Sequence, residues 1–105
     1  MLIKYHYGSN TPEIVIDVID YTSPVLANLN LTGLSGSWYL TEDIDDSVSI
    51  SGSLNVYELT GKIGIIFPLT VPVGFYSFEY SIVSGSQVIM GPRLSQEEPI
   101  FMQVY

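Results

Sequence analysis

The chain has 105 residues, 11 of them acidic and 3 basic, giving a formal charge of −8, and it contains no cysteine. Disulfide scaffolds, thiolate metal sites and cysteine nucleophiles are therefore excluded, and the length fits one domain, residues 1–105, without a separate cofactor domain. With 47% hydrophobic and only 13% charged residues, against roughly 25% charged in ordinary soluble domains, the chain is apolar enough to fold and poor in charge.

The three cations, Lys4, Lys62 and Arg93, are scattered. Nucleic acid is not expected as a partner, because phosphate binding needs clustered basic groups, and an anionic membrane surface would repel the chain. The opening Met-Leu-Ile-Lys-Tyr-His-Tyr lacks the pattern of a secretory signal, and no segment reaches about 18 apolar residues, so a soluble protein made without a cleaved signal is expected.

Ala27 is the only alanine, while β-branched, aromatic and hydroxyl residues dominate and Gly or Pro punctuates almost every ten positions. That profile predicts strands and turns and almost no helix. In chain order the predicted strands cover 2–7, 13–20, 37–42, 53–57, 62–67, 75–83, 87–90 and 100–105. Seven to eight short strands make two packed antiparallel sheets the economical architecture. The run 13–20 is apolar on both faces except for Asp17 and Asp20, so it is expected to be buried on both sides or covered by a partner. In 37–42, Trp38 and Leu40 oppose Ser37, Tyr39 and Thr41, and a lone Trp on an early central strand suits a plug between two sheets. Residues 42–53 read as a polar loop. Ile63, Ile65 and Phe67 form one inward row, and Tyr76, Phe78, Tyr80 and Ile82 another, which puts Trp38, Ile65, Tyr76 and Phe78 together in the core. Residues 92–99 form the most polar loop.

Candidate chemistry is sparse. Glu42, Asp43, Asp45 and Asp46 gather four carboxylates, but a closed calcium loop counted from Asp43 would need Gly and an acid where Val48 and Leu54 stand, so a solvated hairpin tip is expected, with no metal and no cofactor. His6 would have to serve any nucleophile, and Gly33-Leu-Ser-Gly-Ser37 misses the last glycine of a nucleophile elbow, so no enzyme is expected. Gly61-Lys62 lacks both the Ser or Thr and the leading glycine of a phosphate loop and reads as a hairpin turn. Tyr5 or Tyr7, Tyr21, Tyr39 and Tyr105 are the candidates for exposed rings, which leaves a small carbohydrate-binding module, with or without calcium, as the alternative function.

Three elements carry a resemblance over about residues 28–91: Asn30-Leu-Thr-Gly33, Glu58-Leu-Thr-Gly61, and Pro72-Val-Gly-Phe-Tyr-Ser-Phe-Glu-Tyr80. In order and spacing they resemble the small immunoglobulin-like β-sandwich domains of tailed-phage virion proteins, such as those of baseplate upper proteins and of short tail or neck proteins. The connection 93–99 is longer than those domains carry, and the acidic stretch 42–46 replaces their Asp-Gly turn. The resemblance implies an immunoglobulin-like sandwich and a structural virion protein, made in the host cytoplasm, whose partners are other virion proteins. Sparse surface charge suits a subunit packed into an assembly, since Ser, Thr and Tyr lose little on desolvation. The strands 13–20 and 100–105 are expected as open edges for pairing, with Val15, Asp17, Ile19, Phe101 and Tyr105 as the assembly surface of a homo-oligomer, a ring or trimer.

Overall fold

The computed structural model describes residues 1–9, 12–21, 24–42, 48–68, 70–92 and 97–105. Among them the chain forms strands and no helix: β1 (Leu2–Tyr5), β2 (Ile14–Asp17), β3 (Ile19–Asp20), β4 (Ala27–Asn28), β5 (Ser35–Glu42), β6 (Val48–Ser53), β7 (Asn55–Tyr57), β8 (Lys62–Ile65), β9 (Gly74–Ser84), β10 (Gln87–Gly91) and β11 (Ile100–Val104). The larger sheet runs β1-β11-β9-β5-β6 with β10 also on β9, the smaller runs β2-β8-β7, and β3 and β4 form a short ribbon.

β9 organises the larger sheet because its 11 residues leave room for two strands end to end along one edge. β10 pairs with its Tyr80–Ser84 half and β11 with Gly74–Phe78, so Glu79 falls at the junction, while β5 pairs along the other edge from Tyr76 to Val83. Strands β5, β9 and β11 thus occupy the C, F and G places of an immunoglobulin sandwich, with β6 as C′, and β2, β8 and β7 occupy B, E and D. Two further marks of that fold are present. Trp38 is buried on the C strand, and Tyr76, near the start of the F strand, donates its hydroxyl to the Pro72 carbonyl at 2.8 Å.

Several expected boundaries are corrected. Among the described residues there are eleven strands rather than seven or eight, and the pairing of β1 with β11 is parallel in an otherwise antiparallel framework. The run 13–20 breaks at Val18, whose N–H donates to Gly61 and whose carbonyl accepts from Leu29, so its backbone leaves the ladder to tie two turns together. Residues 48–53, read as loop, are strand β6, because Gly52 lies opposite Trp38 and Ile50 opposite Leu40.

The core is the inner face of both sheets. The predicted rows are all inside: Trp38, Ile63, Ile65, Phe67, Tyr76, Phe78, Tyr80 and Ile82 are each at most 2% exposed. Phe67 is the joint, with Trp38 edge-on at 5.0 Å, Phe78 edge-on at 6.0 Å and Tyr5 stacked at 6.3 Å. Two glycines make room for the largest rings. A Cβ on Gly52 would stand 2.5 Å from the Trp38 indole, and one on Gly91 would stand 2.2 Å from the Tyr80 ring.

Trp38→Ala is expected to lower stability by about 3–5 kcal/mol, as for other fully buried large rings. Gly52→Ala, which adds atoms against that indole, should lose about 1–3 kcal/mol by overpacking. Urea unfolding followed by far-ultraviolet dichroism reads both. Burial, with Tyr76 adding to it, pushes the Tyr5 phenol from 10.0 up to about 12. A phenol that ionises later in the folded state contributes stability present below pH 10.0 and lost as pH rises toward 12. Tyr5→Phe should therefore flatten the alkaline limb of a stability–pH curve.

Candidate interaction surface

The two sheets turn unlike outer faces to solvent. On the smaller one, polar side chains are spent on holding strands together. Glu13, just before β2, reaches across β8 and accepts hydrogen bonds from the Tyr57 hydroxyl and from Asn55 Nδ2 at 2.8 Å, both on β7. Gly64 of β8 permits the crossing, since a Cβ there would lie 2.7 Å from the Glu13 carboxyl carbon. Asp17 accepts Asn28 Nδ2 at 3.0 Å and pairs with Lys62 Nζ at 3.0 Å. Both carboxyls are held below their ordinary values, Glu13 by Tyr57 and then Asn55, Asp17 by Asn28 and then Lys62, and Glu13 in turn raises the Tyr57 phenol.

The larger outer face is built differently. Strand register sets its outward side chains in rows: Lys4, Gln103 and Phe75; then Leu2, Phe101, Ser77 and Thr41; then Glu79, Tyr39 and Ser51; then Met90, Ser81, Ser37 and Ser53; then Val88, Val83 and Ser35. Phe75 and Phe101 stack at 5.6 Å, and Tyr39 Oη lies 3.4 Å from Ser81 Oγ. Where β10 gives way to β11 there is a recess of about 300 Å³ walled by Met90, Pro92, Pro99 and Phe101, with Glu79 at its side. Hydroxyl groups dominate, beside two apolar clusters, Leu2 with Phe75 and Phe101, and Val83 with Val88 and Met90, and both kinds of group are cheap to take out of water compared with Lys or Glu.

The five residues expected to form one assembly surface are not brought together. Val15 and Asp17 lie on the outer face of the smaller sheet, where Val15 is 49% exposed and Asp17 is engaged by Lys62 and Asn28. Phe101 lies on the opposite outer face, and Tyr105, 55% exposed, stands beyond the end of β11 against the edge of the His6 ring. Ile19 is half-buried and pairs with Asn28, because the break at Val18 interrupts the alternation that would have turned it outward. β11 is no open edge, since β1 and β9 flank it, whereas β2 does end the smaller sheet.

Of the tyrosines named as exposed candidates, Tyr7 and Tyr105 are exposed and Tyr5, Tyr21 and Tyr39 half-buried; exposed Tyr57 was missed. Its strand-like run gives no sign that its ring faces outward to Glu13. His6 is exposed, its Nδ1 3.0 Å from the Tyr7 carbonyl oxygen. Asp43, Asp45, Asp46 and Arg93 lie outside the described residues; Glu42 is half-buried at the end of β5. Among the described residues no group of three or more His, Asp or Glu could hold a metal ion.

The sequence elements behind the family resemblance have structural roles. Gly33 and Gly61 have φ of +75° and +64°, a conformation that L residues with side chains adopt with strain. Gly33 N–H donates to Glu58 Oε1 at 3.3 Å and Asn28 Nδ2 to the Thr60 carbonyl at 2.7 Å, so the two Leu-Thr-Gly turns meet at one end of the sandwich. The third element is the tyrosine corner of Tyr76. No family model and no curated protein matches the chain.

The carboxyl clamps set an acid dependence. Glu13 and Asp17 bind protons more weakly folded than unfolded, so their contribution is present above the ordinary carboxylate range and is lost as pH falls through it. The urea midpoint should fall between about pH 5 and pH 3, and Glu13→Gln combined with Asp17→Asn should make that fall shallower.

Proposed function

We propose that this protein is a structural component of a tailed-phage particle, in its tail, baseplate or neck, and that it works by docking the outer face of its larger sheet onto a neighbouring subunit of the particle. The observation that carries this reading is the distribution of charge. A chain with 14 charged residues and a net −8 leaves only Lys4 and Glu79 among the described charged side chains in the outward rows of its broadest face. Burying Ser, Thr, Gln and the Phe75–Phe101 pair against a partner sacrifices little solvation and little rotamer freedom.

The family resemblance of the turn elements supports the particle, and the hydroxyl-rich, charge-poor face supports assembly as the means. A sugar-stacking platform receives less support. Tyr57 is bound to Glu13 on the smaller sheet, away from Tyr105, and Tyr39 lies half-buried among serines.

Mass spectrometry of gradient-purified particles tests the reading together with a glycan array. The expected outcome is the chain in intact particles at a fixed ratio to other virion proteins, with no glycan bound. Glycan binding by a chain absent from particles would reverse the assignment in favour of a carbohydrate-binding module.

A further inference from the structure

We propose that the outer face of the larger sheet closes on a second copy of this chain, about a two-fold axis passing over Phe101, so that Lys4 of each copy meets Glu79 of the other. This inference rests on the reading of that face as the docking surface and names its occupant.

Lys4 stands on β1 in the row of Gln103 and Phe75, and Glu79 stands on β9 two rows away; β11 lies between those strands and Phe101 occupies the row between. Phe101 is thus one strand and one row from Lys4, and one strand and one row from Glu79. With strands about 4.8 Å apart and about 6.8 Å per two residues, the two charges are about 17 Å apart with Phe101 at their midpoint. When two identical sheets pack face to face, the two-fold axis lies in the plane between them. A residue on the axis then meets its own copy, and two residues placed symmetrically across it meet each other. An axis over Phe101, perpendicular to the line joining Lys4 and Glu79, therefore forms two equivalent ion pairs around a central pair of aromatic rings that are already stacked on Phe75.

Net charge selects this face over the others. Two chains at −8 repel, and the outer face of the smaller sheet carries Glu13 and Asp17 against one cation, Lys62, so it stays net negative. The face around Phe101 carries one charge of each sign among the described residues, and Glu98, at its rim, lies 3.6 Å from the chain's amino terminus. With principal extents of 40 × 25 × 24 Å, the molecule presents a broad side whose outline exceeds the roughly 800 Å² that each partner buries in a standard complex.

Analytical ultracentrifugation of the full chain over a concentration series tests the arrangement through charge reversal. Lys4→Glu and Glu79→Lys should each weaken self-association at least tenfold, and the double variant should restore it. Glu79→Lys is the decisive single change: it moves the net charge from −8 toward neutrality, so general repulsion alone would make it associate more tightly. Because the chain has no cysteine, Phe101→Cys offers a single thiol, which a short bis-maleimide should join into a dimer, whereas Val15→Cys on the opposite face should not be joined. Far-ultraviolet dichroism verifies that each variant is folded.

A chain that stays monomeric at the highest concentrations, tightening by Glu79→Lys, or equal cross-linking at both thiols would overturn the dimer. A monomeric chain that still enters particles would overturn the dimer alone. A dimer rescued by the double reversal, in a chain absent from particles, would support the dimer and overturn the virion role.

Discussion

Phe67 holds the two sheets in one core. It follows β8 of the smaller sheet and receives the edges of Trp38 from β5 and Phe78 from β9, both of the larger sheet, with Tyr5 of β1 stacked beyond. Edge-to-face pairs of this kind add about 0.5–1.5 kcal/mol each beyond the area they bury. An immunoglobulin domain of the antibody type ties its sheets at this depth with a disulfide beside the Trp of strand C. Here there is no cysteine, and the aromatic joint stands in its place. Noncovalent contacts of this kind act only while packing is close, which is why the volumes around them are so tightly set.

Those volumes explain the two glycines that sit opposite aromatic residues. Trp38 is paired with Gly52 and Tyr80 with Gly91, and in each pair the ring lies over the position where a Cβ would stand. Each glycine weakens its strand through backbone entropy, and the ring laid over it returns buried area. The β9–β10 pairing ends at Gly91, and β11 takes up the same edge of β9 from Phe78. The recess beside Glu79 lies at that change of strand, with Gly91 in its lining.

The core rows were legible in the sequence because large rings at every second position leave one reading of the phase: Tyr76, Phe78, Tyr80 and Ile82 fit no other period. β6 was not legible, since its inward position at Gly52 carries no side chain and its outward Ser51 and Ser53 look like loop. The break at Val18 was hidden for another reason. Its hydrogen bonds go to Gly61 and Leu29, and no local pattern announces partners that remote. Strand order was equally out of reach, so β11 read as an edge although β1 covers it in parallel. The outward surface suffered most from these two gaps, because a face is defined by which strands adjoin, and alternation within one strand says only which side chains share a side.

Segregation of charge links the fold to the proposed role. Glu13, Asp17 and Lys62 each bridge strands of the smaller sheet or its flanking turns, where water still screens them and their hydrogen bonds lend order to short strands of three or four residues. The larger sheet needs no such clamps, because β9 already joins β5, β10 and β11 through an unbroken inward row. Its outer face is thereby left to hydroxyls, with apolar side chains gathered around Leu2, Phe75 and Phe101 and around Val83, Val88 and Met90. In the proposed dimer recognition depends on register, since each contact is weak and only the correct alignment satisfies Lys4, Glu79 and Phe101 together. Weak and register-dependent contacts gain strength when many copies are held side by side, through effective concentration. A particle built from repeated subunits supplies that condition, and a dilute monomeric binding module does not.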